Sequence, residues 1–191
     1  MRGIPGIQYA PGANYVGDDR RYYRATGTSF SAPIVAGVAS LALSRDPTLT
    51  NSELRRVLTQ SARDVDLPGQ DQFTGHGVLR AAAALRADRG FFIRSSIVGA
   101  AATRREGKAY LRVTGTANAN AFRRAWLELG RGEKPEEWMR VSDDLLEPVE
   151  SGPLGQIPAT RFDGGRVWTV RLITEHADGQ RREAWFRITL S

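Results

Sequence analysis

Ser29 sits in the run Gly27-Thr28-Ser29-Phe30-Ser31-Ala32-Pro33, the stretch whose residue types and spacing could make and break bonds. A serine hydroxyl is a weak nucleophile unless a tight turn exposes its Oγ at the mouth of a helix, where free N–H groups favour developing negative charge. Each neighbour has a use in that geometry. Gly27 permits close approach and unusual backbone angles, Ser31 and Ala32 are small, and Pro33 suits a first helical turn, where its missing N–H had no intrahelical partner. The backbone N–H of Ser29 would supply one oxyanion donor, so Gly27, Thr28, Ser29 and Pro33 form a candidate nucleophile turn for acyl transfer. The plainer alternative for Ser29 is a helix N-cap, a position that serine favours.

Acyl transfer also needs a base and a group that orients it. No histidine precedes Ser29. His76 lies between Gly75 and Gly77, and His176 lies before the turn Asp178-Gly179; both read as surface or structural histidines, because nothing nearby in sequence supplies an orienting partner. The chain has no cysteine, which removes disulfides, thiolate metal sites and cysteine catalysis together.

The elements that must position Ser29 follow from pattern. Ile7-Gln8-Tyr9-Ala10 reads as a strand end running into a Gly/Pro-punctuated loop. Ser31 to Ser44 is apolar on nearly every face and stops at Asp46-Pro47, which predicts a helix buried all round. Thr50-Asn51-Ser52-Glu53 is a capping box, and Leu54, Val57 and Leu58 continue it as an amphipathic helix to about Ala62. Val78 to Ala87, rich in alanine and leucine, predicts a further helix. Beyond Asp88-Arg89-Gly90 the period becomes two. Ala109, Leu111 and Val113 alternate with polar neighbours, as do Ala125, Leu127 and Leu129, then Trp168, Val170 and Leu172, then Ala184, Phe186 and Ile188; turn signals such as Asp163-Gly164-Gly165 separate them. This predicts an antiparallel β-sandwich over residues 90–191.

With these elements in place, the residues around Ser29 resemble the subtilisin-like serine protease family. Gly27-Thr28-Ser29-x-Ser31-x-Pro33 followed by Val35-Ala36-Gly37 is similar to its nucleophile motif and central helix. Ala10-Pro11-Gly12, Asp46-Pro47 with Leu49-Thr50, and Gly75-His76-Gly77-Val78 through Ala84-Leu85 resemble further family motifs in the expected order, covering about residues 4–87. Phe30 stands where the family often has Met, and Ile34 where many members have His.

The resemblance implies an α/β fold for residues 1–89, the C-terminal segment of a peptidase domain whose parallel sheet surrounds a buried nucleophile helix. It also implies a catalytic Asp and His and an oxyanion Asn, and none carries over: Asp18 and Asp19 lack the Asp-(Ser/Thr)-Gly context, and Asn14 lacks the oxyanion-Asn context. The chain alone is therefore expected to show little or no peptidase activity, and residues 1–89 to expose apolar surface that partner strands would cover. The implied partners are a polypeptide substrate and the missing N-terminal part of the peptidase domain. No cofactor is implied by these residues; calcium would belong to the complete parent. Residues 91–191 resemble, more weakly, Ig-like or fibronectin-like modules of bacterial extracellular proteases. A secreted or cell-surface parent follows, although the first residues lack the apolar core of a secretion signal. The competing reading is an extracellular adhesion or substrate-docking module with a non-catalytic protease remnant.

Other function classes receive less support. The formal charge of +6 is spread evenly: 11 Lys+Arg face 8 Asp+Glu in residues 1–89, and 16 face 13 in the rest, so the arginine pairs read as solvated surface rather than a nucleic-acid footprint. Ile34 to Leu43, interrupted in apolar character only by Ser40, is far short of the ~20 residues that span a bilayer. Glu133, Glu136, Glu137, Asp143, Asp144, Glu147 and Glu150 form an acidic region that lacks the ordered spacing of a calcium loop and reads as solvated. Trp126, Trp138, Trp168 and Trp185 read as core or rim tryptophans rather than a ligand face.

Overall fold

The computed structural model describes residues 15–16, 22–23, 27–71 and 73–190. A short antiparallel ladder, β1 (Tyr15–Val16) with β2 (Tyr22–Tyr23), precedes α1 (Thr28–Arg45), α2 (Asn51–Gln60) and the single turn α3 (Ala81–Ala84). Then come β3 (Ile93–Arg105), β4 (Lys108–Ala119), β5 (Phe122–Arg131), β6 (Met139–Arg140), β7 (Val149–Pro158), β8 (Val167–His176) and β9 (Arg181–Thr189). They form a sheet ordered β3-β4-β7 and a sheet ordered β6-β5-β8-β9, with every ladder antiparallel.

The two sheets share one apolar core. Val113 and Ala117 from β4, Ala125, Leu127 and Leu129 from β5, and Trp168, Val170 and Leu172 from β8 point into it at even spacing, and Leu154 and Ile157 of β7, three residues apart, both reach it across a register shift against β4. Period-two patterning places the evenly spaced side chains on one face, and the facing sheet supplies the cover. The strands predicted around 109–114, 124–129, 168–172 and 184–189 are present. Trp168 belongs to the core, with its ring edge-on to Phe162 at 5.7 Å.

The outer face of the four-stranded sheet is an arginine–carboxylate–tryptophan ladder. Arg124, Glu175 and Arg181 are direct cross-strand neighbours, so Glu175, only 1% exposed, lies between two guanidinium groups. Arg181 donates to it at 2.7 Å, Arg124 Nη2 at 3.4 Å, and Arg123 lies at 3.1 Å. Burial alone would push the Glu175 carboxyl up; the hydrogen bonds from Arg124 and Arg181 outweigh it and hold the group below its ordinary value. Arg124, Arg140 and Arg181 stack over Trp126, and Arg171, paired with Glu128, stacks 4.1 Å over Trp138. Cross-strand register thus covers Trp126 with charged side chains.

The helices hold together through few residues. The capping box forms as expected: Thr50 Oγ1 accepts from the Glu53 N–H at 3.3 Å and the Thr50 N–H donates to the Glu53 carboxylate at 2.9 Å. α1 ends at Asp46, whose N–H bonds the Ala42 carbonyl at 2.9 Å. Val38 and Ala42 of α1, Val57 of α2 and Ala84 of α3 are the buried residues of these helices.

Three expectations are corrected here. No parallel ladder exists among the described residues, so the parallel sheet of the expected α/β fold is not seen; the strand end at Ile7–Ala10 and Ala10-Pro11-Gly12 lie outside the described residues. The helix after Ser29 is not buried all round: Ile34 is 64% exposed, and Val35 and Leu41 are exposed too. A helix apolar on every face needs neighbours on every face, and α2 and α3 cover only the Val38–Ala42 edge. The helix predicted over Val78–Ala87 shrinks to Ala81–Ala84, because Val78 is held extended by paired backbone bonds with Arg63, both 2.8 Å.

Candidate functional site

Ser29 occupies the first turn of α1, one residue after Thr28, with Gly27 as the N-cap. Gly27 makes no side-chain cap, so the first-turn N–H groups are left for other acceptors; among them the Phe30 N–H bonds the Gly27 carbonyl at 3.0 Å. Gly27, Thr28 and Ser29 are all exposed. The N-cap role weighed for Ser29 is filled by Gly27, and among the described residues the Ser29 hydroxyl makes no hydrogen bond. Both its Oγ and the start of the helix dipole face solvent.

Two details of the turn differ from expectation. Gly27 has extended backbone (φ 162°), and among the described residues a Cβ there would meet only the Phe30 ring at 3.9 Å, so the backbone angle does not require glycine. Pro33 lies inside α1 rather than in its first turn. Its missing N–H is therefore the one that would have bonded the Ser29 carbonyl, four residues back, and that carbonyl is released from the helical ladder.

Among the described residues no base hydrogen-bonds Ser29, neither His76 nor His176. His176 ends β8 and is buried, with Nδ1 2.8 Å from the Asp178 carboxylate and its ring 5.0 Å from Phe91. The turn Asp178-Gly179 closes below it, with the His176 N–H bonded to the Gln180 carbonyl at 2.9 Å, so the residue has a structural place in the β8–β9 hairpin. The polar residues upstream of Ser29 that the sequence offered, Asn14, Asp18 and Asp19, lie outside the described residues.

His76 takes a different position. Gly77 (φ +94°) lets the backbone press against Arg63, where a Cβ would collide with the Arg63 carbonyl. This turn holds half-buried His76 at a cleft between α2 and the ends of β3 and β9. Burial first, then the charges of Arg182 and Arg55, push its imidazole below the ordinary value, with Asp64 opposing. Pro68 and Gly69 close one wall: the Trp185 N–H donates to the Pro68 carbonyl at 3.2 Å, and a Cβ on Gly69 (φ +99°) would meet the Glu183 carbonyl oxygen at 2.7 Å.

Sequence reasoning missed this cleft because Arg55-Arg56 and Arg181-Arg182 were assigned to solvated surface. A signal was present: counting back by twos from Ile188, Phe186 and Ala184 on β9 reaches Arg182, which puts a guanidinium on the inward face of the strand end. The acidic region is likewise tied to arginine partners: Asp144 pairs with Arg140 at 2.5 Å and Arg124 at 3.3 Å, Glu150 with Arg94 at 3.1 Å, and Glu133 with Arg187 at 3.2 Å.

No helix among the described residues is long and apolar enough to cross a membrane. Comparison with known proteins bears on the segment that carries Ser29. The halolysin-like extracellular serine protease Nep of Natrialba magadii is 42% identical over 83 residues, which is 41% of this chain and 15% of that protein. The thermostable alkaline protease of Halalkalibacterium halodurans is 40% identical over 76 residues, 38% of this chain and 20% of that protein. The Neisserial autotransporter lipoprotein NalP of Neisseria meningitidis serogroup B is 43% identical over 65 residues, 34% of this chain and 6% of that protein. The chain thus spans no more than a fifth of the length of these relatives. Residues 9–77 match the Subtilase family, and the chain continues from that subtilase segment into a region of antiparallel β-sheets.

Proposed function

We propose that Ser29 is the nucleophile of a subtilisin-like serine endopeptidase, and that residues 1–89 are the C-terminal segment of its peptidase domain. The observation that carries this reading is an exposed serine, uncommitted to capping, in the first turn of a helix within the family-matched segment. The implied reaction is acyl transfer at a peptide bond. A histidine from another polypeptide segment takes the Ser29 Oγ proton as Oγ attacks the carbonyl carbon, and the Ser29 N–H with an amide side chain holds the oxyanion. The tetrahedral adduct collapses, the amine leaves with the proton from the imidazolium, and water releases the acyl group by the reverse sequence. By itself the chain is inactive, because an unassisted hydroxyl is a poor nucleophile at neutral pH.

Residues 90–191 form an Ig-like or fibronectin-like sandwich that accompanies the peptidase, and the parent acts outside the cell or on its surface, a reading supported by two relatives named as an extracellular protease and an autotransporter. The completeness of this core, beside a serine that no base hydrogen-bonds among the described residues, favours a second reading, an adhesion or substrate-docking module with a protease remnant.

A fluorophosphonate probe separates the readings. The chain alone should remain unlabelled. Joined in frame behind a subtilase segment that supplies Asp, His and the oxyanion Asn, it should become labelled, and Ser29→Ala should abolish the signal. Labelling of the chain alone that Ser29→Ala removes would show that the site already holds its base; no labelling of the joined protein would falsify the nucleophile assignment.

A further inference from the structure

We propose that the cleft between α2 and the ends of β3 and β9 binds an acidic peptide segment, whose carboxylates are taken by Arg55 and Arg182. This goes beyond the peptidase reading and does not depend on Ser29.

The cleft has a volume of about 710 Å³ and is lined by arginines from three elements: Arg55 and Arg56 of α2, Arg94 of β3, and Arg181 and Arg182 of β9. Two of the five are already paired with carboxylates, and a third, Arg56, is held over an aromatic ring. Arg94 pairs with Glu150 at 3.1 Å, Arg181 with Glu175 at 2.7 Å, and Arg56 donates to the Arg89 carbonyl at 3.0 Å while stacking 4.9 Å over Phe92. Arg55 and Arg182 have no carboxylate within 4.0 Å among the described residues; Arg182 donates only to the Gln60 carbonyl, at 2.5 Å. The acids that face the cleft are committed elsewhere. Asp64 accepts from the Gly69 N–H at 2.6 Å, Glu150 also accepts from Asn118 at 2.6 Å, and Glu183 accepts from the Trp185 indole at 3.0 Å.

A half-buried cation without a counter-charge is unfavourable, since its lost hydration is only partly replaced. Burial lowers the Arg182 guanidinium from its ordinary value against the pull of Asp64, and His76 beside it is lowered in turn. In both groups burial outweighs the one nearby carboxylate, Asp64. A carboxylate between Arg55 and Arg182 would supply the counter-charge with charge-assisted hydrogen bonds.

Shape favours a peptide over a lone inorganic ion. The volume lies within the roughly 300–1,000 Å³ of organic ligand sites. The walls also carry Phe92 and Pro68, apolar surface that an inorganic oxyanion cannot use and a peptide can. Among the described residues β3 ladders only with β4, and its Arg94–Ser96 stretch lines the cleft, which adds edge-strand backbone to the surface.

The test uses the full chain and fluorescein-labelled tetraglutamate, with labelled tetraglutamine as the neutral control, read by anisotropy. Tetraglutamate should bind at least about tenfold tighter, and Arg182→Gln or Arg55→Gln should each remove about fivefold or more of that affinity. Arg55 is exposed and makes no hydrogen bond from its side chain among the described residues, so Arg55→Gln keeps the test decisive if Arg182→Gln does not fold. Arg104→Gln, at the exposed end of β3, and Ser29→Ala should bind like the parent. The two histidines give a local reporter: the His76 ring resonances should shift on peptide addition while those of His176 stay. Equal binding of both peptides, equal weakening by Arg104→Gln, a shift at His176 in place of His76, or binding of inorganic phosphate without tetraglutamate would each overturn the proposal.

Discussion

α1 and β5 are both rich in apolar residues, yet β5 sends Ala125, Leu127 and Leu129 into the core while α1 buries only Val38 and Ala42. The difference lies in period. β5 alternates, so its core residues share one face, and the facing sheet covers that face with Val113, Leu154 and Ile157. α1 is apolar around its circumference, and its exposed Phe30, Ile34, Val35 and Leu41 belong to faces that α2 and α3 do not reach. The sheet region therefore carries its own cover, whereas α1 has the composition of a helix meant to be enclosed.

The sharpest way to break this contrast is to cut the same side chain in both places. Leu127→Ala removes a fully buried leucine and should cost roughly 3–5 kcal/mol, while Leu41→Ala, at an exposed position, should stay within about 0.5 kcal/mol. All four tryptophans lie beyond residue 90, so urea unfolding followed by tryptophan fluorescence reports the sheets, and far-UV circular dichroism adds the helices. Similar losses from the two substitutions would mean that α1 is packed as tightly as β5.

A smaller effect is expected on the outer face of the sheet. Glu175→Gln leaves Arg124 and Arg181 facing a neutral amide, and should cost about 2–3 kcal/mol, below the usual loss for a broken buried pair because Arg123 and Arg181 are half exposed. The sign with pH follows from the direction of the carboxyl shift. Its folded value lies below the unfolded one, so the contribution is complete above the ordinary value near 4.5 and disappears as pH falls through the lower folded value. Glu175→Gln should therefore be weaker than the parent at neutral pH and converge with it in acid. Parallel pH profiles would show that the arginines do not depend on this carboxylate.

How much of this was legible in the sequence follows the same division. The turn around Ser29, the capping box at Thr50 and Glu53, and the four alternating strands were readable because each is decided by near neighbours. β3 and β7 were not. β3 runs through Ser95, Ser96, Gly99 and three successive alanines with a register shift between Ile97 and Gly99, and β7 carries Gly152, Pro153 and Gly155 at a sheet edge, where a proline is tolerated. Neither shows apolar alternation. The helix over Val78–Ala87 failed because alanine propensity is local, and the backbone bridge from Arg63 to Val78 overrides it. For the candidate site, the helix start that carries Ser29 was legible and the cationic cleft was not, since Arg55 and Arg182 line one cleft only where Arg182 of β9 reaches the Gln60 carbonyl at the end of α2.

The smallest effect on stability is the most informative about α1. Ile34→Lys with Leu41→Lys replaces two exposed side chains by charged ones on a helix whose backbone they suit. If these faces are as uncovered as the fold shows, the unfolding midpoint should move by no more than the equivalent of about 0.5 kcal/mol. Emission from a bound hydrophobic dye should fall, because exposed apolar surface is what such a dye detects. A large loss of stability would reveal that the two side chains are packed, and unchanged dye emission would place the accessible apolar surface elsewhere. An unaltered midpoint with reduced dye binding leaves α1 as the helix that the sequence composes for burial and the described residues leave open, on the same element whose first turn presents Ser29.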